Sequence, residues 1–122
     1  MAKILFIEDE AALQKTLGGR LKEKGLEVIA ALDGETALNI IKSTKIDLIL
    51  LDLILPRKSG FEILRELKEN AETKDIPVII LTNLENMKDI EQAMEMGATT
   101  YLVKTNYSLD EVVEKIKATL EK

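Results

Sequence analysis

The sequence predicts an α/β fold in which helices cover both faces of a parallel sheet. Five short apolar runs are spaced along the chain, and the stretches between them repeat apolar residues at helical intervals. Continuous apolar runs of this length are typical of strands that are buried on both faces of a parallel sheet. Because parallel strands need crossover connections, the alternation indicates a doubly wound (βα)5 domain.

The predicted strands are rich in isoleucine, leucine and valine. The first, third and fourth are almost wholly apolar, whereas the second and fifth carry a weaker pattern. In chain order, the predicted strands are Lys3–Ile7, Glu27–Ala31, Asp47–Leu51, Pro77–Leu81 and Thr100–Val103. Each is followed by a segment with a helical pattern, so every strand has a candidate crossover.

The first helix shows leucines at a spacing of four residues, namely Leu13, Leu17 and Leu21. This spacing places the leucines on one face of a helix, which we expect to face the sheet. Gly18 and Gly19 lie within the same segment, where each costs about 1 kcal/mol relative to alanine. The sequence offers no function for this pair, and close packing or simple tolerance explains it equally well.

The later helices carry recognisable start and stop signals. The second and third follow Asp33 and Ser59, whose side chains can accept a hydrogen bond from an amide of the first helical turn. The fourth ends at Gly97, a favoured residue after a helix. The fifth begins with a capping box, Ser108–Glu111. The fourth helix also carries an apolar stripe formed by Met87, Ile90 and Met94.

Composition limits the possible functions. With 122 residues the chain suits one domain, which we expect to span residues 1–122. The absence of cysteine and histidine excludes disulfides, thiolate or histidine metal sites and a Ser-His-Asp triad. The net charge of −5 argues against a nucleic-acid-binding surface. No apolar run approaches the roughly 20 residues of a membrane span, and no signal peptide is evident, so we expect a cytoplasmic protein.

Polar residues follow four of the predicted strands, at the edge where ligands bind in such sheets. Glu8 and Asp9 follow the first strand, Asp52 the third, Thr82 the fourth and Lys104 the fifth. Each alone could be a helix cap, a turn residue or a solvated lysine. Together, however, the carboxylates would repel one another unless a cation lay among them. Oxygen ligands without histidine or cysteine favour Mg²⁺.

Asp52 is the best placed of these carboxylates, because it follows the central strand. Thr82 and Lys104 indicate that an anion binds beside the metal, most simply a phosphoryl group. A carboxylate with Mg²⁺ on one side and such donors on the other can itself attack phosphorus. Phosphorylation would add about two negative charges, and new bonds to Thr82 and Lys104 would draw two loops inward. These residues therefore suggest a switch.

Four segments, in order and at suitable spacing, resemble the receiver domain of bacterial two-component response regulators. They are ILFIEDE, DLILLDLILPRKSGFEIL, IPVIILT and GATTYLVK. The resemblance covers essentially the whole chain and implies a flavodoxin-like sheet with strand order 2-1-3-4-5. It also implies a signalling protein that is not an enzyme beyond self-phosphorylation from small donors and slow self-dephosphorylation.

The resemblance implies roles for the acidic residues. Asp52 resembles the aspartate that accepts a phosphoryl group from a histidine kinase or phosphotransfer protein. Asp9 resembles the direct ligand of Mg²⁺ (or Mn²⁺), and Glu8 the acidic neighbour that binds through water. The backbone carbonyl of Ile54 resembles the third protein ligand, after those of Asp9 and Asp52.

The resemblance also implies which residues transmit the signal. Thr82 resembles the hydroxyl residue that moves to bond the phosphoryl oxygen, and Lys104 the lysine that pairs with it. Tyr101 resembles the aromatic residue whose rotamer follows Thr82, although alone it would be read as a half-buried strand aromatic. We expect a monomer or a phosphorylation-dependent dimer that contacts neither nucleic acid nor membrane. A downstream protein should bind the face of the fourth helix, fifth strand and fifth helix, around Lys88, Glu91, Tyr101 and Glu111.

The chain departs from the family pattern near the pocket. Thr105 follows Lys104 where the family usually has a proline, often after a cis peptide bond, and the loop KTNYS is one residue longer than usual. Asn83 stands where a small residue is usual and would narrow the entry. Ile54 and Leu84 flank the route of an attacking water. Both are apolar, which predicts a long-lived phosphorylated state.

Two other functions stay open at this point. An aspartate-nucleophile phosphatase of the haloacid dehalogenase type needs a second aspartate two residues after the nucleophile, where this chain has Ile54. A receiver-like scaffold that never takes phosphate usually lacks part of the acidic cluster or the lysine, and this chain retains them all. The sequence fits a stand-alone receiver and a segment of a longer regulator equally well.

Overall fold

A computed structural model describes residues 1–122 as a parallel five-stranded sheet with helices on both faces. The strands are β1 (Lys3–Ile7), β2 (Glu27–Ala31), β3 (Leu48–Leu51), β4 (Val78–Thr82) and β5 (Thr100–Val103). The helices are α1 (Ala11–Glu23), α2 (Gly34–Ser43), α3 (Gly60–Glu69), α4 (Met87–Glu95) and α5 (Leu109–Leu120). The order β2-β1-β3-β4-β5 confirms the predicted doubly wound, flavodoxin-like fold.

The strand boundaries differ from the prediction at two places. β3 begins at Leu48, one residue late, and β4 runs from Val78 to Thr82. Pro77 has no N–H to donate to a neighbouring strand, so only its carbonyl joins the sheet, by accepting from the Ile49 amide at 3.0 Å. At the other end, Thr82 pairs with Val103 of β5 and therefore belongs to the strand.

Two apolar cores lie on opposite faces of the sheet. Alternate residues of a strand point to opposite faces. Ile4 and Phe6 of β1 thus pack with α1 and α5, whereas Leu5 and Ile7 pack with the core beneath α2, α3 and α4. All four residues of β3 are fully buried, which explains its continuous apolar sequence. None of the helices has the length and apolarity that a membrane span needs.

The helix termini follow the predicted signals. The Asp33 carboxylate accepts a hydrogen bond from the Thr36 amide at 2.8 Å, and the Ser59 hydroxyl caps α3 in the same manner. Ser108 and Glu111 form both hydrogen bonds of the capping box. Gly97 has φ +106°, a conformation that side chains rarely adopt, which explains why a glycine ends the α4 segment.

The apolar stripe of α4 does not point into the core. Met87 and Met94 are 65% and 41% exposed, Ile90 is half-buried, and the only fully buried residue of the helix is Ala93. The periodicity correctly predicted a helix but not its buried side. The reason is that β4 and β5 are covered mainly through the small Ala93, so the larger side chains of α4 turn outward.

Candidate functional site

Three carboxylates meet at the carboxyl edge of the sheet. Glu8 and Asp9 follow β1, and Asp52 follows the neighbouring strand β3. One carboxylate oxygen from each lies within 4.8 Å of the others. Glu8 and Asp52 are only 1% and 4% exposed, whereas Asp9 is open to solvent. The structure thus brings together the acidic residues that the sequence analysis selected.

Lys104 supplies the positive charge that faces this cluster. Its Nζ atom lies 2.7 Å from Glu8 Oε1 and 3.1 Å from Asp52 Oδ2. A third carboxylate, that of Glu10, is 3.8 Å away and largely exposed. One ammonium therefore serves two buried carboxylates, with Asp9 beside them. The site retains excess negative charge, and its all-oxygen donors fit a small hard cation such as Mg²⁺.

Burial and charge shift the pKa values of the central pair. Burial raises the pKa of Glu8 to about 7, and the Asp52 charge adds to this effect, while Lys104 opposes it. Burial also acts to lower the pKa of Lys104. The hydrogen bond with Glu8 and the charges of Asp52 and Glu8 together outweigh that effect and raise the Lys104 pKa. Lys104 is therefore charged at neutral pH.

The backbone holds Asp52 in a tight turn. Its amide donates to the Ile7 carbonyl at 3.0 Å, and its Oδ1 atom accepts from the Ile54 amide at 3.1 Å. The first residue of α3, Gly60, packs directly on this turn. A Cβ atom at Gly60 would overlap the Asp52 carbonyl oxygen and lie 2.5 Å from the Leu53 Cα atom. A side chain at Gly60 would therefore displace the turn that presents Asp52.

Thr82 and Tyr101 both contact the loop that follows β4. Thr82 is fully buried, and its hydroxyl oxygen accepts from the Leu84 amide at 3.5 Å. The half-buried Tyr101 donates its hydroxyl to the Leu84 carbonyl at 2.8 Å. Burial raises the pKa of Tyr101 to about 12, with smaller contributions from the charges of Asp89 and Asp52. A movement of Thr82 would therefore reach Tyr101 through Leu84.

The segment after Lys104 forms a single 3₁₀ turn, Lys104–Asn106, with trans peptide bonds throughout. Despite this unusual loop, the lysine side chain reaches the acidic cluster. Tyr107 at the end of the loop packs against the core between the sheet and α5. An open cavity of about 300 Å³ lies beside Lys104 and is lined in part by Asn83 and Tyr107. Asn83 itself is exposed at this cavity.

Two supporting residues were not predicted from the sequence. The Gln14 side-chain amide donates to the carbonyls of Phe6, Glu8 and Ala31, at 2.9, 3.1 and 3.3 Å. It thereby ties the ends of β1 and β2 together beside Glu8. Gly60 was visible as a glycine directly after a capping serine, a position where helices do not require one. Gln14 had no comparable sequence signal, because its partners come from two strands.

The comparisons with known proteins identify the family. A family model described as the response regulator receiver domain matches residues 4–117. The chain belongs to this receiver family. Its membership places it among the proteins of two-component signalling and confirms the resemblance drawn from the four sequence segments.

The receiver is similar to part of several longer regulators. The transcriptional regulatory protein CiaR of Streptococcus pneumoniae is 40% identical over 122 residues, which are 100% of this chain and 53% of that protein. The phosphate regulon transcriptional regulatory protein PhoB of Escherichia coli is 36% identical over 120 residues, 98% of this chain and 52% of that protein. The receiver thus spans about half the length of these curated relatives.

A solved structure supports the same fold. The Mn²⁺-bound form of response regulator Rcp1 superposes with a TM-score of 0.85 at 32% identity, covering 97% of this chain and 93% of that chain. The carboxylates of Glu8, Asp9 and Asp52 in the receiver are donors of the kind that Mn²⁺ and Mg²⁺ accept.

Proposed function

We propose that this receiver is a phosphorylation-dependent switch in which Asp52 accepts a phosphoryl group from a histidine kinase or phosphotransfer protein. The supporting observation is the buried Asp52 carboxylate, held between the Lys104 ammonium and two further acids in a chain of the receiver family. A buried carboxylate that shares its only countercharge is costly as a purely structural feature, which favours a chemical role.

In this proposal Glu8, Asp9, Asp52 and the backbone carbonyl of Ile54 hold Mg²⁺ or Mn²⁺, with Glu8 acting through water. The metal would neutralise charge on the transferring phosphoryl group. A carboxylate oxygen of Asp52 forms the new O–P bond as the donor's N–P bond breaks, and the donor imidazole keeps the electron pair of that bond. Lys104 moves from the carboxylates to a phosphoryl oxygen, and the hydroxyl of Thr82 donates to another.

The switch would then pass through the loop after β4. When Thr82 turns toward the phosphoryl group, its contact with the Leu84 amide is lost. Tyr101 bonds the Leu84 carbonyl, so its position changes with the loop. Both movements bias an equilibrium between two arrangements of the face formed by α4, β5 and α5. A downstream protein would bind this face around Lys88, Glu91, Tyr101 and Glu111.

The remaining parts of the proposal concern the molecule as a whole. Residues 1–122 form one domain that works in the cytoplasm, as a monomer or as a dimer formed on phosphorylation. The chain acts by binding proteins and not by contacting nucleic acid or membrane. Its chemistry is limited to accepting a phosphoryl group, from a protein or a small donor, and losing it slowly to water.

The test is incubation with acetyl phosphate and Mg²⁺, followed by intact mass and peptide mapping. The wild type should gain one phosphoryl group at Asp52, and Asp52→Asn should gain none. Asp75→Asn, which changes an exposed acid distant from the cluster in sequence, is the matched control and should label normally. A wild type that takes no phosphate would indicate the scaffold alternative. Continuous release of phosphate from added phosphate monoesters would indicate a phosphatase.

A further inference from the structure

The solvent-facing side of α4 combines exposed methionines with unpaired acids. Met87 and Met94 are 65% and 41% exposed, an unusual exposure for two large apolar side chains on one helix. They are seven residues apart and therefore lie on the same side of the helix. Glu91, four residues after Met87 and three before Met94, lies between them on that side. We call Met87, Glu91, Met94 and the neighbouring Glu95 the methionine–acid face.

The charge of this face is negative and uncompensated. The segment from Glu85 to Glu95 contains four acidic residues and one lysine, Lys88. Neither Glu91 nor Glu95 takes part in an ion pair or a side-chain hydrogen bond within the chain, and both are exposed. Elsewhere, exposed acids such as Glu66 and Asp110 have a lysine or arginine partner. The face thus offers carboxylates that a partner could pair.

We propose that the methionine–acid face binds a basic amphipathic helix of a downstream protein, with apolar side chains between the methionines and a lysine or arginine at Glu91. Flexible thioethers adapt to varied apolar partners, and an apolar helix face in a groove or against another helix is a common recognition mode. The proposal rests on the proposed function only in taking α4 as part of the output surface.

A second copy of the chain fits the same face poorly. Two copies related by a two-fold axis present identical patches to each other. An axis centred on the stripe between Met87 and Met94 passes near Glu91, so the Glu91 carboxylate of one copy would face that of the other. Like charges in contact are destabilising. A basic partner turns the same carboxylate into an attractive contact.

The test uses three synthetic fluorescent helical peptides as probes and the full chain as receptor. One has leucines on one face and lysines on the other, the second has the same composition scrambled, and the third has glutamate in place of lysine. The patterned lysine peptide should bind at least about tenfold more tightly than either of the others. Equal binding of the patterned and scrambled peptides would overturn the proposal, because only net charge would then matter.

Matched variants locate the binding site. Met87→Ser with Met94→Ser, and separately Glu91→Lys with Glu95→Lys, should each weaken binding about tenfold. The controls are Leu32→Ser, which removes an exposed leucine (52% exposed) from another loop, and Glu69→Lys with Glu72→Lys, which reverses two exposed charges near the end of α3. Controls that weaken binding as much as the α4 variants would overturn the proposal.

Two further outcomes are decisive. Sedimentation velocity should show that the wild type does not self-associate through α4. A dimer abolished by Met87→Ser with Met94→Ser would make a second copy the occupant and overturn the inference. Labelling of Asp52 is measured on the same samples, so the two proposals fail separately. Absent labelling would remove the phosphoacceptor but leave peptide binding interpretable, and absent peptide selectivity would leave the phosphoacceptor intact.

Discussion

At the scale of single residues, the site is governed by the unequal number of charges around Lys104. Its ammonium contacts both Glu8 and Asp52, and the stronger contact, at 2.7 Å, is with Glu8. Removing the Asp52 charge therefore leaves Lys104 paired, whereas removing Lys104 would leave two buried carboxylates without a countercharge. The two changes should have opposite effects on the stability of the metal-free protein.

We expect Asp52→Asn to stabilise the protein in EDTA by about 1 kcal/mol, because it relieves repulsion among the carboxylates. The amide oxygen can still accept from the Ile54 amide. Urea unfolding measures the difference, with Glu23→Gln, an exposed acid without an ion pair, as the control. Added Mg²⁺ should stabilise the wild type and reduce the gap. A variant no more stable than wild type in EDTA would show that the carboxylates do not repel appreciably.

Two glycines should respond to alanine in opposite ways. A Cβ atom at Gly60 would overlap backbone atoms of the Asp52 turn, which cannot move aside as a side chain can. Gly60→Ala should cost about 3 kcal/mol and impair labelling of Asp52. At Gly19, inside α1, no atom lies within 4 Å of the added Cβ, so Gly19→Ala should stabilise by about 1 kcal/mol. Urea midpoints that moved in the same direction would contradict this contrast.

Tyr101 offers a measurable pH dependence. Its phenol ionises at about 12 in the folded chain, against 10.0 for the ordinary group, because burial disfavours the charged form. The stability that this shift contributes is complete below pH 10 and is lost as the pH rises through 12. Tyr101→Phe should therefore flatten the fall in stability over that interval.

Absorbance titration of a Tyr107→Phe variant isolates the ionisation of Tyr101, since the chain has 2 tyrosines. A midpoint near 10 would show that the hydroxyl is not held at the Leu84 carbonyl. The Tyr101→Phe variant provides the baseline, because it lacks the group being measured.

Much of the site could be predicted because it depends on strand order and chain position. Residues that directly follow parallel strands share one edge, so Glu8, Asp52 and Lys104 were expected to lie together before any contact was known. Gln14 could not be predicted, because its three acceptors are carbonyls whose proximity is set by the twist and register of β1 and β2. The overlap at Gly60 likewise depends on how closely α3 approaches the Asp52 turn.

At the scale of elements, the loops after β3 and β4 differ in what they offer to water. Ile54 is 50% exposed, while Leu84 is half-buried and packs against the core beneath α2, α3 and α4. Neither side chain can orient an attacking water by hydrogen bonding. Both can limit its approach, so the loops favour retention of a phosphoryl group on Asp52.

We expect Ile54→Asn with Leu84→Glu to accelerate Mg²⁺-dependent loss of phosphate from Asp52 by about tenfold, because polar groups then line the route of water. The decay of phosphorylated protein, followed by intact mass, gives the rate. Ile54→Val with Leu84→Met keeps the route apolar and serves as the control. Decay of the polar variant at the wild-type rate would show that these side chains do not govern water access.

Helix α4 shows where periodicity fails as a guide to burial. Its methionines repeat at helical spacing, yet the core receives Ala93 instead. A stripe of apolar residues marks a helix side that excludes water in some assembly, and that assembly need not be the isolated chain. In α3 and α5, by contrast, the apolar stripe and the buried side coincide.

At the scale of the whole molecule, the sheet separates two cores that are covered differently. The face under α1 and α5 is capped by long leucine, valine and isoleucine side chains, whereas α2 and α4 each bury little beyond an alanine. The fold class was predictable because buried parallel strands must be apolar throughout. The strand order was implied only by the family resemblance, since periodicity carries no information on which strands are neighbours.

The exposed methionines of α4 also make the receiver a reporter of its own contacts. The chain has no cysteine, tryptophan or histidine and only 4 methionines, of which Met87, Met94 and Met96 lie on α4 or directly after it. Dilute hydrogen peroxide oxidises exposed thioethers to sulfoxides, which mass spectrometry counts residue by residue. Oxidation should therefore proceed fastest at Met87 and slow when a partner covers α4. The acidic pocket has no oxidisable sulfur, so this footprint leaves Asp52 chemically intact.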